Sequence, residues 1–160
     1  MSIAIILADY HNSRHAADLV TVLQGYAQDP MGGGNSLPPE VCENLVPRLA
    51  NFPTAFTMLA YAGDRAVGLA NCFLSLSTFS ARELVNIHDV AVLPEFRGQG
   101  IGTRLLDAVE QFARNRGCCK LTLEVLEGNR VAQAVYNKLG FAPYALDERS
   151  GPALFWQKIL

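Results

Sequence analysis

One stretch of the chain, residues 86–104, combines residue types that bind anions. It reads NIHDVAVLPEFRGQGIGTR, so an apolar strand leads through a glycine-rich turn into an amphipathic helix. At such a junction, free backbone N–H groups and the positive end of the helix dipole point to one spot. Arg97 adds a fixed positive charge. The pattern predicts a site for two linked phosphates, because a guanidinium matches phosphate geometry.

Two well-known phosphate loops do not match this stretch. A Walker loop ends in Gly-Lys-Ser/Thr, whereas this chain has Gly102-Thr103-Arg104. A dinucleotide fingerprint needs a third glycine where Thr103 stands, directly after a strand, and here Glu95 and Arg97 intervene. A structural strand–helix turn without a ligand is the non-functional alternative.

The run Arg97-Gly98-Gln99-Gly100-Ile101-Gly102 resembles the coenzyme A pyrophosphate loop of the GNAT superfamily of N-acetyltransferases. A second block, residues 129–141, resembles the family's N-x-x-A-x-x-x-Y-x-x-x-G-F element, with Asn129, Tyr136 and Phe141 in register. Each block follows a predicted strand, and the two occur in the family's order. The resemblance covers most of the chain and is strongest from Leu84 to Phe141.

The resemblance implies that acetyl-coenzyme A is the acetyl donor and that no metal takes part. The main chain of the central strand would hold the pantetheine arm like an added strand, and the glycine loop would hold the pyrophosphate. Asn129 would bond the coenzyme and could equally cap its helix. The residues expected to bind the coenzyme are Val90, Ala91, Val92, Arg97, Gly98, Gln99, Gly100, Ile101, Gly102, Thr103, Asn129 and Tyr136.

The activity implied by the resemblance is direct transfer of an acetyl group to the primary amine of a small molecule. Tyr136 matches the position of the family's tyrosine that protonates the leaving thiolate, with a core aromatic residue as the alternative. His88, four residues before Val92, is the candidate base, with a structural role as the alternative. Glu124 and Glu127 on the fifth strand are reserve candidates for the base.

Strand alternation places Asp89 on the face opposite His88 unless the strand bulges. Asn86 departs from a pattern in which some protein-lysine acetyltransferases carry Glu, which argues against a lysine in a protein as the acceptor. A protein or peptide N-acetyltransferase and a non-catalytic acyl-coenzyme A-binding module remain alternatives.

The acceptor is expected to meet two variable segments. Residues 28–39 contain Pro30, three successive glycines and two prolines, which indicates either a linker or a mobile substrate lid. Residues 75–81 form a Ser/Thr-rich connection. The residues expected to contact the acceptor are Tyr26, Asp29, Met31 and Phe79.

Composition bounds the class of protein. A chain of 160 residues predicts a single domain over residues 1–160, and a net charge of −2 without a basic run argues against nucleic-acid binding. There is no apolar run long enough for a membrane span. Met1-Ser2-Ile3 lacks the basic segment of a signal peptide, and the four cysteines show no metal-ligand spacing, so we expect a cytoplasmic protein. The apolar run Ala153–Trp156, expected near a sheet edge, indicates either a homodimer contact or a strand that only packs against the core.

Hydrophobic periodicity predicts the element order β, α, α, three strands, α, β, α, β, β. The fold class is α/β (α+β), with helices on both faces of a mixed, mostly antiparallel sheet of about seven strands. The resemblance adds a splay in the middle of this sheet, between the fourth and fifth strands, Leu84–Leu93 and Cys119–Leu126. The last two predicted strands are Phe141–Leu146 and Ala153–Ile159.

Overall fold

A computed structural model describes residues 2–160. Met1, the first residue of the Met1-Ser2-Ile3 stretch discussed above, lies outside the described residues. The chain divides into two compact units, one ending at Leu123 and the other running from Glu124 to Leu160. The helices and strands, in chain order, are β1 (Ile3–Leu7), α1 (Ser13–Ala27), α2 (Pro39–Ala50), β2 (Ala55–Ala62), β3 (Arg65–Ser77), β4 (Arg82–Val92), α3 (Ile101–Asn115), β5 (Leu121–Leu123) and α4 (Arg130–Lys138).

The sheet of the first unit has the strand order β1-β2-β3-β4-β5. The first three pairings are antiparallel and the β4–β5 pairing is parallel. The prediction of an α+β fold with a mixed, mostly antiparallel sheet is therefore confirmed. The prediction of about seven strands is not met within residues 2–160, where the sheet has five.

Helices cover both faces of this sheet. The side chains of β2 and its neighbouring strands point alternately to the two faces, and both faces are apolar. Leu59 and Tyr61 join the core that α1 supplies through Leu19. Phe56, of the opposite parity, stacks on Phe112 of α3 with ring centroids 4.1 Å apart. The helices on both faces were correctly predicted from the order of the elements.

The helix α3 is fixed to the sheet by an apolar stripe at helical spacing. Its buried members are Ile101, Leu105, Leu106, Val109 and Ala113. The first of these is only 1% exposed, so the beginning of the helix is anchored where the glycine loop ends.

The β5 strand is shorter than predicted, because its pairing with β4 ends early. The register runs only from Val85↔Leu121 to Ile87↔Leu123. The next residue of β4, His88, has no partner on β3 either, since the register jumps between Ile87 and Asp89. A β-bulge disrupts the local ladder, so the parallel pairing stops there.

The second unit contains α4 and a C-terminal segment with little regular structure. The predicted strands Phe141–Leu146 and Ala153–Ile159 are not formed, and the segment has a single bridge between Ala145 and Pro152. Proline cannot donate to a ladder, and Pro143 and Pro152 both fall within or next to the predicted strands. Apolar composition predicted strands here, but it could not supply a pairing partner.

We predict that Gly68→Ala destabilises the first unit. A Cβ atom there would lie 2.9 Å from the carbonyl oxygen of Ala91 and 3.2 Å from Leu105, so β4 or α3 would have to move. The expected loss is about 1–3 kcal/mol, measured by denaturant unfolding. Gly102→Ala is the control, because its Cβ atom meets only Val92 at 4.0 Å. Equal stability of the two variants would contradict the close packing at Gly68.

Candidate active site

A bulge in β4 places His88 and Asp89 on one face of the sheet. Asn71 is paired with Asp89 and Cys72 with Ile87, so His88 is the extra residue. The Asn71 side-chain amide donates to Asp89 Oδ2 at 3.0 Å. Two positions along β3, on the same face, Phe73 meets the His88 ring edge-on, with centroids 5.6 Å apart. Opposite faces were expected unless the strand bulges, and the structure has that bulge, so His88 and Asp89 share a face.

The His88 side chain is exposed although it lies in the middle of β4. Its ring is oriented by Phe73, which in turn meets Phe52 edge-on at 5.5 Å. An imidazole fixed by aromatic contacts and open to solvent can accept a proton from a ligand. This placement agrees with the predicted role without testing it.

Beyond the bulge, one edge of β4 is left without a strand partner. Val90, Ala91 and Val92 pair with β3 on the other edge, whereas β5 reaches no further than Ile87. The carbonyl oxygen of Val92 points to the open edge, where it accepts a hydrogen bond of 2.9 Å from Arg97 Nε. Val90 has the same parity, so its main-chain groups point the same way. The open edge offers the backbone groups that an extended ligand needs.

The glycine loop follows this edge directly. Gly98 and Gly100 have φ angles of 74° and 75°, in the left-handed region that favours glycine. Gly100 is the N-cap of α3, and no side chain caps the helix. The first helical hydrogen bond of α3 runs from the Arg104 N–H to the Gly100 carbonyl. The N–H groups before it belong to Ile101, Gly102 and Thr103.

An uncapped helix start of this kind favours an anion. The side chain of Gln99 turns back to the carbonyl of Glu95 at 3.5 Å, so it does not cap the helix. The glycine turn at the beginning of α3 therefore has a geometry that agrees with the predicted phosphate loop without testing it.

Arg97 is paired with the predicted lid. Its Nη2 atom lies 2.9 Å from Asp29 Oδ2, while its Nε atom donates a hydrogen bond to the Val92 carbonyl. The pKa of Asp29 lies below its ordinary value, first because the Met31 N–H donates to the carboxylate and also because of Arg97. The guanidinium expected to meet phosphate thus joins the lid to β4.

The lid residues lie close together. Asp29 caps a 3₁₀ turn, Pro30–Gly32, and the Tyr26 hydroxyl donates to the Met31 carbonyl at 3.4 Å. Burial raises the pKa of Tyr26, and the nearby carboxylates of Asp89 and Asp29 raise it further. Three of the four predicted acceptor residues, Tyr26, Asp29 and Met31, therefore lie together, and Tyr26 lies near Asp89.

Phe79 is not brought to this group. It is 98% exposed at the tip of the β3–β4 hairpin. At about 3.3 Å per residue along a strand, Asn71 lies roughly 25 Å away from it. Within one copy of the first unit, Phe79 lies too far along the hairpin to share a ligand with Tyr26.

In the second unit, Asn129 caps α4 by accepting a hydrogen bond of 3.1 Å from the Ala132 N–H. The Tyr136 ring is half-buried and lies 5.9 Å from the Phe141 ring. Glu124 and Glu127 are exposed and lie after the end of β5, not on it as expected. The N-cap alternative for Asn129 is thus realised, and it does not exclude a coenzyme contact.

Asn71, whose side-chain amide donates a hydrogen bond to Asp89, was not predicted from the sequence. A signal was available, since Asn71 interrupts the apolar run of β3 as a polar residue between Ala70 and Cys72. Recognising its role needed the strand register, which the sequence does not contain.

Two further findings apply to residues 2–160. Nowhere in them do three or more His, Cys, Asp or Glu side chains cluster in a way that could hold a metal ion. None of their helices has both the length and the apolar character needed to cross a bilayer.

Comparison with known proteins places these features in a family context. A model of the Acetyltransferase (GNAT) family matches residues 9–141. Thialysine N-epsilon-acetyltransferase of Mus musculus is 38% identical over 78 residues, which are 49% of this chain and 45% of that protein. N-alpha-acetyltransferase 30 of Schizosaccharomyces pombe is 33% identical over 89 residues, which are 56% of this chain and 59% of that protein. The chain thus spans about half the length of the curated relatives it matches.

The fold is also shared with solved structures. A probable acetyltransferase superposes with a TM-score of 0.81 at 23% sequence identity, covering 98% of this chain and 99% of that one. At this identity the likeness establishes the α+β fold only.

We predict that Gly100→Trp abolishes binding of acetyl-coenzyme A. A side chain at this position would stand in front of the N–H groups at the beginning of α3. Calorimetric titration of the coenzyme measures the loss.

Gly117→Trp is the matched control. Gly117, just beyond the other end of α3, has a φ angle of 76°, and an added Cβ atom at either glycine meets nothing within 4 Å. Both variants carry the same backbone strain, so Gly117→Trp should keep the wild-type affinity. Unchanged affinity in Gly100→Trp would show that the loop does not hold the coenzyme.

Proposed function

Because the chain belongs to the Acetyltransferase (GNAT) family, we propose that it transfers the acetyl group of acetyl-coenzyme A to the primary amine of a small molecule. The single observation that carries this proposal is the succession of an open β4 edge and an uncapped α3 start. The edge presents the main chain of Val90 and Val92, and the helix start follows through Gly98 and Gly100. This succession suits a ligand with an extended amide arm and a pyrophosphate.

In the proposed complex, the pantetheine arm lies along β4, in the predicted splay between β4 and β5. The pyrophosphate meets the N–H groups of Ile101, Gly102 and Thr103. We propose that Arg97 Nε leaves the Val92 carbonyl when the pantetheine arm binds there, so that the guanidinium can turn to the phosphates. Two further predicted residues lie along this proposed binding site. Gln99 belongs to the glycine loop, and Ala91 lies on β4 between Val90 and Val92 with its side chain buried.

The reaction forms an N–C bond at the acetyl carbonyl and breaks the C–S bond of the thioester. An alkylamine has a pKa near 10, so only about one molecule in 10³ is neutral at pH 7, which corresponds to about 4 kcal/mol. We propose that His88 takes the amine proton, directly or through water, and that Tyr136 gives a proton to the departing thiolate. The role of Tyr136 rests on its match to the family element. No metal is needed in this scheme.

The acceptor is proposed to enter beside the lid residues Tyr26, Asp29 and Met31, of which Tyr26 lies near Asp89. Thialysine N-epsilon-acetyltransferase is named for a small amine, which favours a small acceptor here. A protein or peptide acceptor is the second candidate, because N-alpha-acetyltransferase 30 also matches this chain. A non-catalytic acyl-coenzyme A-binding module is a third.

The function is tested by incubating the protein with acetyl-coenzyme A and a panel of amines, amino acids and peptide N-termini, following free thiol. We expect turnover with a small amine. Release of thiol only with peptides would favour the second candidate, and none above background would favour the binding module.

We predict that Tyr136→Phe lowers kcat about 10²–10⁴-fold, with little change in KM, if the phenol is the acid. Tyr144→Phe, the same change in the same unit, serves as the control and should keep full kcat. Full kcat in Tyr136→Phe would remove the acid role from this residue.

His88→Gln should lower kcat/KM most at neutral pH. Without a base, the rate follows the neutral fraction of the amine, which rises about tenfold per pH unit below its pKa. The deficit against wild type should therefore shrink as the pH is raised from 7 to 9. A deficit that does not change with pH would make His88 structural, and Glu124 and Glu127 would be tested next.

We also propose a homodimer formed through the C-terminal segment. Leu154, Phe155 and Trp156 are 73%, 71% and 83% exposed. Contiguous apolar surface of this kind marks an interaction site. Sedimentation should give a dimer at micromolar concentration, and Trp156→Glu should give a monomer. A wild-type monomer would reject the proposal.

A further inference from the structure

A row of polar side chains crosses the sheet on the face that carries Asp89. Thr57, Asn71 and Asp89 are directly opposite one another on β2, β3 and β4. Thr57 is 0% exposed and Asn71 is 4% exposed, and they are the buried polar residues of the core within residues 2–160. Burying polar groups among apolar ones costs free energy unless each finds a partner. Packing alone therefore does not explain why these polar side chains are buried.

The hydrogen bonds of the row all point in one direction. Thr57 Oγ1 donates to Asn71 Oδ1 at 2.7 Å, and Asn71 Nδ2 donates to Asp89 Oδ2 at 3.0 Å. A threonine hydroxyl has one hydrogen, so Tyr10, whose hydroxyl lies 2.9 Å from Thr57 Oγ1, must be the donor there. Burial raises the pKa of Tyr10, which keeps it protonated.

The carboxylate sets this direction. An ionised carboxylate only accepts hydrogen bonds. If the Asn71 amide were turned around, its Oδ1 atom would face the acceptor Asp89 Oδ2, and its N–H group would face Thr57. Hydrogen bonds aligned head to tail also strengthen one another in a buried setting. The whole row thus fixes Asp89 Oδ2.

The row ends where the acceptor is proposed to bind. Asp89 is half-buried beside His88 at the bulge and close to Tyr26. Its second oxygen, Oδ1, makes no hydrogen bond to any residue that the structure describes. One oxygen is held by the protein, and the other is left for a ligand that donates hydrogen bonds.

We propose that Tyr10, Thr57 and Asn71 are positioning residues that aim Asp89 at the ammonium group of the acceptor amine. This rests on the proposed function and adds to it the group that binds the cationic acceptor before His88 takes its proton. The row orients and does not conduct protons, because the Asn71 amide cannot readily accept one proton and release another.

The first test compares Thr57→Val with Thr57→Ser. Valine keeps the shape but removes the hydroxyl, so Tyr10 loses its acceptor and Asn71 its donor. The KM for the accepted amine should rise about tenfold or more, while the Kd for acetyl-coenzyme A should stay within about twofold of wild type. Serine restores the hydroxyl and should restore the KM. Asp89→Asn should raise the KM at least as much as Thr57→Val.

Tyr61→Phe is the matched control for loss of stability. Tyr61 lies on the same face of β2 and donates to Asp18 Oδ2 at 2.6 Å, outside the row. It should lower the melting temperature without changing the acceptor KM. If Thr57→Val raises the KM no more than Tyr61→Phe does, or if Thr57→Ser fails to restore it, the row is only structural and the proposal is wrong.

A binding experiment separates this proposal from the proposed function. The probe is n-butylammonium, titrated into wild-type protein while the Asn71 side-chain amide signals are followed by NMR. We expect these signals to shift saturably in wild type and not in Asp89→Asn. A protein that transfers no acetyl group but gives this response would refute the function and retain the site. Asn71 signals that stay unmoved would overturn the site, whether or not the protein is active.

Discussion

The fold depends on one constraint, which is that β4 must pair along one edge and remain open along the other. On the β3 side the ladder is continuous apart from the bulge, and it runs to Val92. On the β5 side it ends at Ile87. An unpaired strand edge is normally a liability, because backbone groups without partners cost free energy and attract other strands. In the proposed complex, the amide groups of the coenzyme's pantetheine arm would pair with this edge, and the glycine loop follows at the end of the same strand.

Arg97 satisfies one backbone group of this open edge. Its Nε atom satisfies the Val92 carbonyl, and its Nη2 atom pairs with Asp29 of the lid. The Arg97 side chain is 47% exposed and the Asp29 side chain 14% exposed, so solvent screens this ion pair only in part. In the proposed complex, phosphate oxygens would replace Asp29 as the partner of this guanidinium.

Local features were predictable from the sequence, and register-dependent ones were not. The glycine loop, the helix that follows it and the cap at Asn129 are set by neighbouring residues, so their pattern was sufficient. The face on which Asp89 lies depends on one extra residue in β4, and nothing in the apolar spacing announces a bulge. The C-terminal strands failed for a related reason. Strand composition gives a propensity, but a strand exists only where a partner accepts its backbone hydrogen bonds.

The bulge in β4 is the register-dependent feature that sets the geometry of the candidate site. By adding one residue to β4, it ends the parallel pairing with β5 and also turns His88 to the face that carries Asp89. A regular strand would have left His88 and the carboxylate on opposite sides of the sheet. The polar row then becomes understandable as a second constraint. Asp89 lies on the bulged strand, and the aligned donors of Asn71 and Thr57 on the two neighbouring strands fix the orientation of its carboxylate.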